Sequence, residues 1–411
     1  MITRNITPRL TDALADTPVV LLNGPRQAGK TTLAQSLIAA GYPATYLTLD
    51  DSSVLAAAAD APGFVAGLTG PVILDEIQHA PQLFPAIKAS VDRDRRPGRF
   101  LLTGSANVLL LPKISESLAG RMEVLTLWPL AQAEIEGHPG SLTDLLFARS
   151  LSLPTPPKLT RDGFIARIMD GGYPEPLSRP AEVRRRAWFE SYLTTILQRD
   201  VRDIANIEGL SSLPRLLSLL ASRVGALLNL TDVSNASRIA YATLHRYMTV
   251  LEATFLVQLL TPWSNNLGAR LVKTPKLLLN DTGLAASLLG LDAQRLATDG
   301  PLLGQFLENF VALEIKKDIG WSATRPSLFH YRTHTRQEVD LVLESPAGDV
   351  VGIEVKASSS VHGSDFKGLR SLSEASAGRF VRGLILYGGS QVVPFAENLH
   401  AVPLSILWGE R

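Results

Sequence analysis

The run Gly24-Pro25-Arg26-Gln27-Ala28-Gly29-Lys30-Thr31, followed by Thr32, fits the pattern G-x-x-x-x-G-K-[ST]. Glycines at its two ends let a backbone close around phosphate, and the N–H groups and the start of the next helix face an anion. Lys30 has the charge and reach for β- and γ-phosphates, and the Thr31 hydroxyl is a hard oxygen ligand suited to Mg2+. Context separates such a loop from a simple glycine turn. Here an apolar strand pattern, PVVLLNG, precedes the run and a helical pattern begins near Thr31, whereas a turn alone would leave Lys30 without a purpose.

Downstream, Val72-Ile73-Leu74-Asp75-Glu76 is an apolar strand ending in two acids. After a phosphate loop, an Asp in that place holds Mg2+ directly or through water, and the following Glu polarises the water that attacks the γ-phosphate. A third strand pattern, Phe100 to Gly104, ends at Ser105. Its hydroxyl either senses the γ-phosphate, if the strand neighbours both motif strands, or caps the next helix. Arg121, in LAGRM, is a candidate arginine finger, acting across an oligomer interface or in cis; the plainer reading is a surface salt bridge.

A second acidic set lies near the other end of the chain. Glu354 and Lys356 are two apart in GIEVKAS and project from one face of a strand, and a hairpin brings Asp340 of EVDLVLE close to Glu354. Two carboxylates with a main-chain carbonyl suit Mg2+, and Lys356 would then orient or deprotonate a metal-bound water. A Glu354/Lys356 surface pair near a structural Asp is the alternative. Between the two sets, the segment from Thr231 reads as a helix, a short turn near Ile239 and a second helix from Ala242 to about Val257. In this helix-turn-helix spacing the second helix would present Thr243, His245, Arg246 and Thr249, a thin set for DNA phosphates and equally suited to docking a protein.

Elements must position these groups. From residue 18 to 128, PVVLLNG, ATYLTLD, PVILDE, RFLLTGS and EVLTLW alternate with helical patterns, the rhythm of an α/β fold with five strands in a largely parallel sheet. LSLPTPPKL at 151–159 breaks every period and reads as a linker. Trp188 to Asp203 is a helical pattern, charged toward its end. LENFVALEIKK is a helix, and LFHYRT, EVDLVLE, VVGIEVKA and GLILYG are strands. The expected division is 1–140, 141–205, 206–300 and 301–411, since 411 residues exceed one ordinary core. The chain has no cysteine, which excludes disulfides, thiolate zinc sites and cysteine nucleophiles and fits a reducing cytoplasm. MITRNITPRL has no apolar signal region, and Arg215 and Arg223 break the most apolar later stretch, so neither secretion nor a membrane partner is expected. Net charge is +1, and only residues 141–300 are mildly basic, so a DNA role needs a local surface there.

Taken in order, GPRQAGKTTL, LDEIQ, LLTGS, LAGR, GGYPEP, YLTTILQRD, KLLLNDTGL, LENFVALEI and YRT…EVDLVLE…GIEVKAS resemble prokaryotic AAA-type ATPases whose N-terminal core is joined to a C-terminal domain of unknown function. The resemblance covers nearly the whole chain. It implies ATP and Mg2+ as cofactors, a winged-helix segment and a restriction-endonuclease-like module, in which Glu308 matches an additional acid beside Asp340, Glu354 and Lys356. Two functions follow as expectations. One is an ATP-hydrolysing homo-oligomer whose nucleotide state controls a DNA-binding or nuclease-like module. The other is a nucleotide-dependent scaffold for a protein partner, with little hydrolysis and no nuclease activity. A small-molecule kinase gives the long C-terminal half no role.

Overall fold

The five apolar runs form strands in the computed structural model, which describes residues 2–105, 118–201, 210–270, 274–335 and 337–409: β1 (Val19–Asn23), β2 (Thr45–Thr48), β3 (Val72–Asp75), β4 (Phe100–Gly104) and β5 (Met122–Thr126). All are parallel, in the order β2-β3-β4-β1-β5. β1 and β4 are buried throughout, which explains their unbroken apolar sequences. Val19 and Leu21 face one core with Phe84, Ile87 and Leu102, while Val20 and Leu22 face a second with Leu10, Leu33 and Leu101. Parallel strands put every carboxyl end on one edge of the sheet. That edge carries the loop after Asn23, the Asp75-Glu76 pair and Ser105, with β4 between β1 and β3.

The described residues divide into two compact units, Thr3–Leu130 with Val250–Leu256, and Ala131–Thr249 with Val257–Arg411. The second begins with helices before its sheet. Asp318 accepts hydrogen bonds from Ser141 Oγ (2.7 Å) and from the backbone N–H groups of Leu142 and Thr143 (3.1 and 2.8 Å), which satisfies the first turn of the helix Leu142–Phe147. The break at 151–159 forms no helix or strand, yet Leu153 lies with Leu142, Leu146, Ile353, Leu384 and Leu386. Arg202 and Asp203 of the run from Trp188 lie outside the described residues.

Three motifs meet among these helices. Tyr173 of GGYPEP is fully buried, its hydroxyl 2.9 Å from that of Tyr192, and Trp188 stacks on Tyr192. The carboxylate of Asp281, in NDTGL, accepts from the N–H groups of Gly172 (2.7 Å) and Leu284 (2.9 Å). A Cβ on Gly171 would stand 2.3 Å from Asp281 Oδ1, so only glycine fits there. These motifs hold the fold together.

The helices Leu230–Ser237 and Tyr241–Ala253 are separated by a turn in which Arg238 is left-handed, φ 59°. An antiparallel hairpin follows, β6 (Val257–Leu260) with β7 (Lys276–Leu279). After the helix Gly300–Ile319 comes a mixed sheet of β8 (Ser327–Arg332), β9 (Glu338–Glu344), β10 (Val350–Lys356), β11 (Phe380–Tyr387), β12 (Val393–Ala396) and β13 (Leu399–Pro403), in the order β12-β13-β11-β10-β9-β8. β8, β9 and β10 are antiparallel; β11 returns parallel to β10 through the helix Lys367–Ala375. Among the described residues no helix is long and apolar enough to cross a membrane.

Candidate functional site

At the carboxyl edge of the first sheet, Gly24 has φ 145° and an added Cβ would stand 2.1 Å from the carbonyl oxygen of Leu127, so the loop can leave β1 only as glycine. Pro25, Arg26, Gln27 and Ala28 carry the turn, with Gln27 and Gly29 at positive φ, and the helix Lys30–Ala39 starts directly behind. The Lys30 ammonium, 5% exposed, donates to the carbonyl oxygens of Gly24 and Pro25 at 2.9 Å each. From outside the motif, Arg4 clamps the loop by donating to the carbonyl oxygens of Ala28 (2.8 Å) and Trp128 (2.7 Å).

The second motif meets the first at Asp75. Its Oδ2 accepts from Thr31 Oγ1 at 2.9 Å and from the Tyr46 hydroxyl at 2.6 Å, and its Oδ1 accepts from Thr103 Oγ1. Burial first, and then Asp75, pushes the Tyr46 phenol well above its ordinary pKa, so it remains a donor. Glu76 is left-handed, φ 58°, a conformation that an ordinary side chain adopts only when its surroundings hold it. Its N–H donates to Thr103 Oγ1 at 3.1 Å. The Gln78 amide then bridges, donating to the Glu76 carboxylate and to Ser105 Oγ (3.0 Å), while its own oxygen accepts from the Ser105 N–H (3.3 Å). Thr32 lies in the first turn of the helix behind the loop. Tyr46, Thr103, Gln78 and Arg4 were not singled out in the sequence; Thr103 had a signal, since it lies in the polar end of the third strand pattern, two residues before Ser105.

Arg121 lies elsewhere. It precedes Met122, which pairs in register with Val19 at the amino end of β1, whereas the loop leaves from Asn23 at the other end. Four residues of strand, roughly 13 Å, separate the two levels. The Arg121 guanidinium pairs with Asp92.

The second acidic set also assembles. β9 and β10 pair Leu341 with Ile353, which sets Asp340 beside Glu354 just past the last paired residues, and Asp340 Oδ2 accepts from the Val355 N–H at 2.9 Å. Lys356 Nζ donates to Glu354 Oε1 at 3.1 Å, and Glu354 Oε2 is buried with no hydrogen-bond partner among the described residues. Glu308 comes in from the helix Gly300–Ile319. Its partner is Lys276 of β7, a residue to which the sequence assigned no chemistry. The Lys276 ammonium lies 2.7 Å from Glu308 Oε1, 2.9 Å from Glu338 Oε1 and 3.3 Å from Asp340 Oδ1. Burial, and then the charge of Asp340, pushes the Glu308 and Glu354 carboxyls up to about 8.

The two sites differ in how they fit a metal. Thr31 and Asp75 put two oxygen donors together beside a phosphate-type loop, a set that fits Mg2+ with nucleotide. In the C-terminal cluster a divalent ion does not fit: the point on which Glu308, Glu338 and Asp340 converge is taken by Lys276. Among the described residues no group of three or more His, Asp or Glu side chains has an arrangement that can hold a metal.

A parallel sheet in this order, with the loop leaving β1 and the acid-ended strand β3 two places away, defines a P-loop ATPase fold. Residues 16–136 match the AAA domain family, residues 161–295 a domain of unknown function, DUF8612, and residues 303–407 another, DUF4143. Two relatives, an uncharacterized protein of Mycobacterium bovis and one of Mycobacterium tuberculosis, are each 33% identical over 403 residues, spanning 97% of this chain and 83% of the relative. The chain belongs to the family of these mycobacterial proteins. The Walker-type ATPase PABY2304 of Pyrococcus abyssi superposes over 70% of this chain and 96% of its own, at 15% identity and a TM-score of 0.43. An AAA domain implies nucleotide binding.

Proposed function

We propose that the first unit binds ATP with Mg2+ and hydrolyses it, and that its nucleotide state controls what the second unit binds. The observation that carries this reading is the 2.9 Å contact between Thr31 and Asp75, which joins two motifs distant in sequence at the edge where Glu76 and Ser105 also stand. Lys30 and the N–H groups of the loop hold phosphate, and Thr31 and Asp75 hold Mg2+, which when bound offsets phosphate charge. Glu76 orients and deprotonates the attacking water, and Ser105, joined to it through Gln78, would meet the γ-phosphate. Arg121, at the amino edge of the sheet and paired with Asp92, lies away from the loop of its own subunit, so an arginine-finger role for it requires a neighbouring subunit in a homo-oligomer. On the second helix after Arg238, His245, Arg246 and Thr249 are exposed and Thr243 is half-exposed, which supports DNA as the partner. Two basic residues make a small footprint, and this favours the alternative, a scaffold that docks a protein.

The test is direct. Lys30→Ala is expected to lose ATP binding in equilibrium dialysis, and wild-type phosphate release is expected to rise when single-stranded, double-stranded or branched DNA is added. Wild-type binding without turnover, unchanged by every DNA form, would replace the enzyme reading with the scaffold.

A further inference from the structure

We propose that Lys276 is the resident cation of the C-terminal acidic cluster, so that this module engages its partner without a divalent metal and accepts Mg2+ or Mn2+ only when Lys276 is removed. Lys276 is 1% exposed, and its ammonium lies within 3.3 Å of carboxylate oxygens from three residues: Glu308 on the helix and, on β9, Glu338 and Asp340. A divalent ion would need the same oxygens at shorter range, and an ammonium at their centre repels it.

Lys276 has nowhere else to go. Its backbone is fixed on two sides, paired with Leu260 of β6 and bridged to Leu227. Burial alone would push its pKa down, but the pull of Asp340, Glu308 and Glu338 outweighs this and holds it above the ordinary value, so the charge is kept. The lysine also comes from the hairpin that follows the two helices around Arg238, not from the sheet that carries the acids. Its ion pairs therefore tie that hairpin to the sheet, and the cluster has a structural use that needs no metal.

The experiment uses the full chain without nucleotide, in an Asp75→Asn background so that the first site does not report. Mn2+ binding is read by electron paramagnetic resonance, and unfolding by its melting temperature. The chain with Lys276 intact is expected to bind no Mn2+ at the cluster. Lys276→Met is expected to melt on the order of 10 °C lower, to gain one Mn2+ site and to recover melting temperature as Mn2+ is added, and a further Glu308→Gln should abolish that site. Mn2+ binding by the chain with Lys276 intact that Asp340→Asn removes would overturn the proposal, as would Lys276→Met gaining no Mn2+ affinity. Should Lys276→Met not fold, the triple change Lys276→Met, Glu308→Gln, Asp340→Asn decides: folding supports the counter-ion role, and failure to fold contradicts it.

Discussion

At Asp75 the carboxylate is held by three hydroxyls, from Thr31, Tyr46 and Thr103, whereas Glu308, Glu338 and Asp340 share the ammonium of Lys276. Hydroxyls fix the direction of a carboxylate and leave its charge in place, so a cation can still be recruited there. An ammonium offsets part of the charge and fills the space between the carboxylates, which leaves no room there for a metal. The same residue types, acids at strand ends with a lysine nearby, thus make an open charge in one unit and a closed one in the other. What differs is the source of the lysine. Lys30 lies within its own phosphate loop and donates to that loop's carbonyl oxygens, while Lys276 comes from a separate hairpin into the acids.

The largest effects are expected on ATP turnover. Arg121→Ala should lower kcat by about 10³-fold or more if the guanidinium meets transition-state charge in a neighbouring subunit. Glu76→Gln should lower it by roughly 10²- to 10⁴-fold while nucleotide stays bound. Mixing the two variants should restore part of the activity, because one subunit keeps Glu76 and the other keeps Arg121. Wild-type turnover by either single variant removes that residue from the mechanism, and no recovery on mixing removes the shared site.

The closed site should announce itself through pH and not through metal. His330, 1% exposed on β8, is pushed down to about 4, first by burial and then by the charge of Lys276. Its folded pKa lies below the unfolded value, so the unfolded chain takes up the proton first as pH falls. The stability it contributes is complete above about pH 6.5 and is lost between there and pH 4, by on the order of 3 kcal/mol. Glu308 and Glu354 act in the opposite direction, since carboxyls raised to about 8 cost stability as pH rises from about 4.5 to 8. Denaturant melts of wild type and His330→Asn at pH 7.5 and pH 4.5 isolate the histidine: the variant should lose less stability on acidification. Equal losses would mean that His330 is protonated in the folded state.

The two sites were not equally legible in the sequence. The five parallel strands could be read because both faces of β1 and β4 are buried, which leaves runs such as VVLLN with no alternation to misread. β12 and β13 were missed: VPFA and LHAVP each contain a proline, which argues against a strand unless it lies at an edge, and β12 is the edge of its sheet. Lys30 sits inside a spacing that has one chemical meaning. Lys276 opens an apolar strand far in sequence from Glu308, Glu338 and Asp340, and only the folded hairpin brings it to them. Tyr46 was hidden for a similar reason, because a tyrosine on a strand reads as packing until a neighbouring strand supplies Asp75.

That tyrosine gives the smallest and most specific test of how hydroxyls hold an open charge. Its hydroxyl lies 2.6 Å from Asp75 Oδ2, the same oxygen that accepts from Thr31. If Thr31 turns toward Mg2+ when nucleotide binds, Tyr46 and Thr103 remain to hold the carboxylate, one on each oxygen. Tyr46→Phe removes one donor and keeps the ring, so the fold should be unaffected while Asp75 gains freedom to rotate. One hydrogen bond to a charged group is worth about 1.5 kcal/mol at the low end, or roughly tenfold. The expected result is a rise of that size in the Mg2+ concentration giving half-maximal ATP turnover, with ATP binding measured without Mg2+ unchanged. A hydroxyl that merely fills space predicts no change in the Mg2+ dependence, and that outcome would return Tyr46 to the packing of β2.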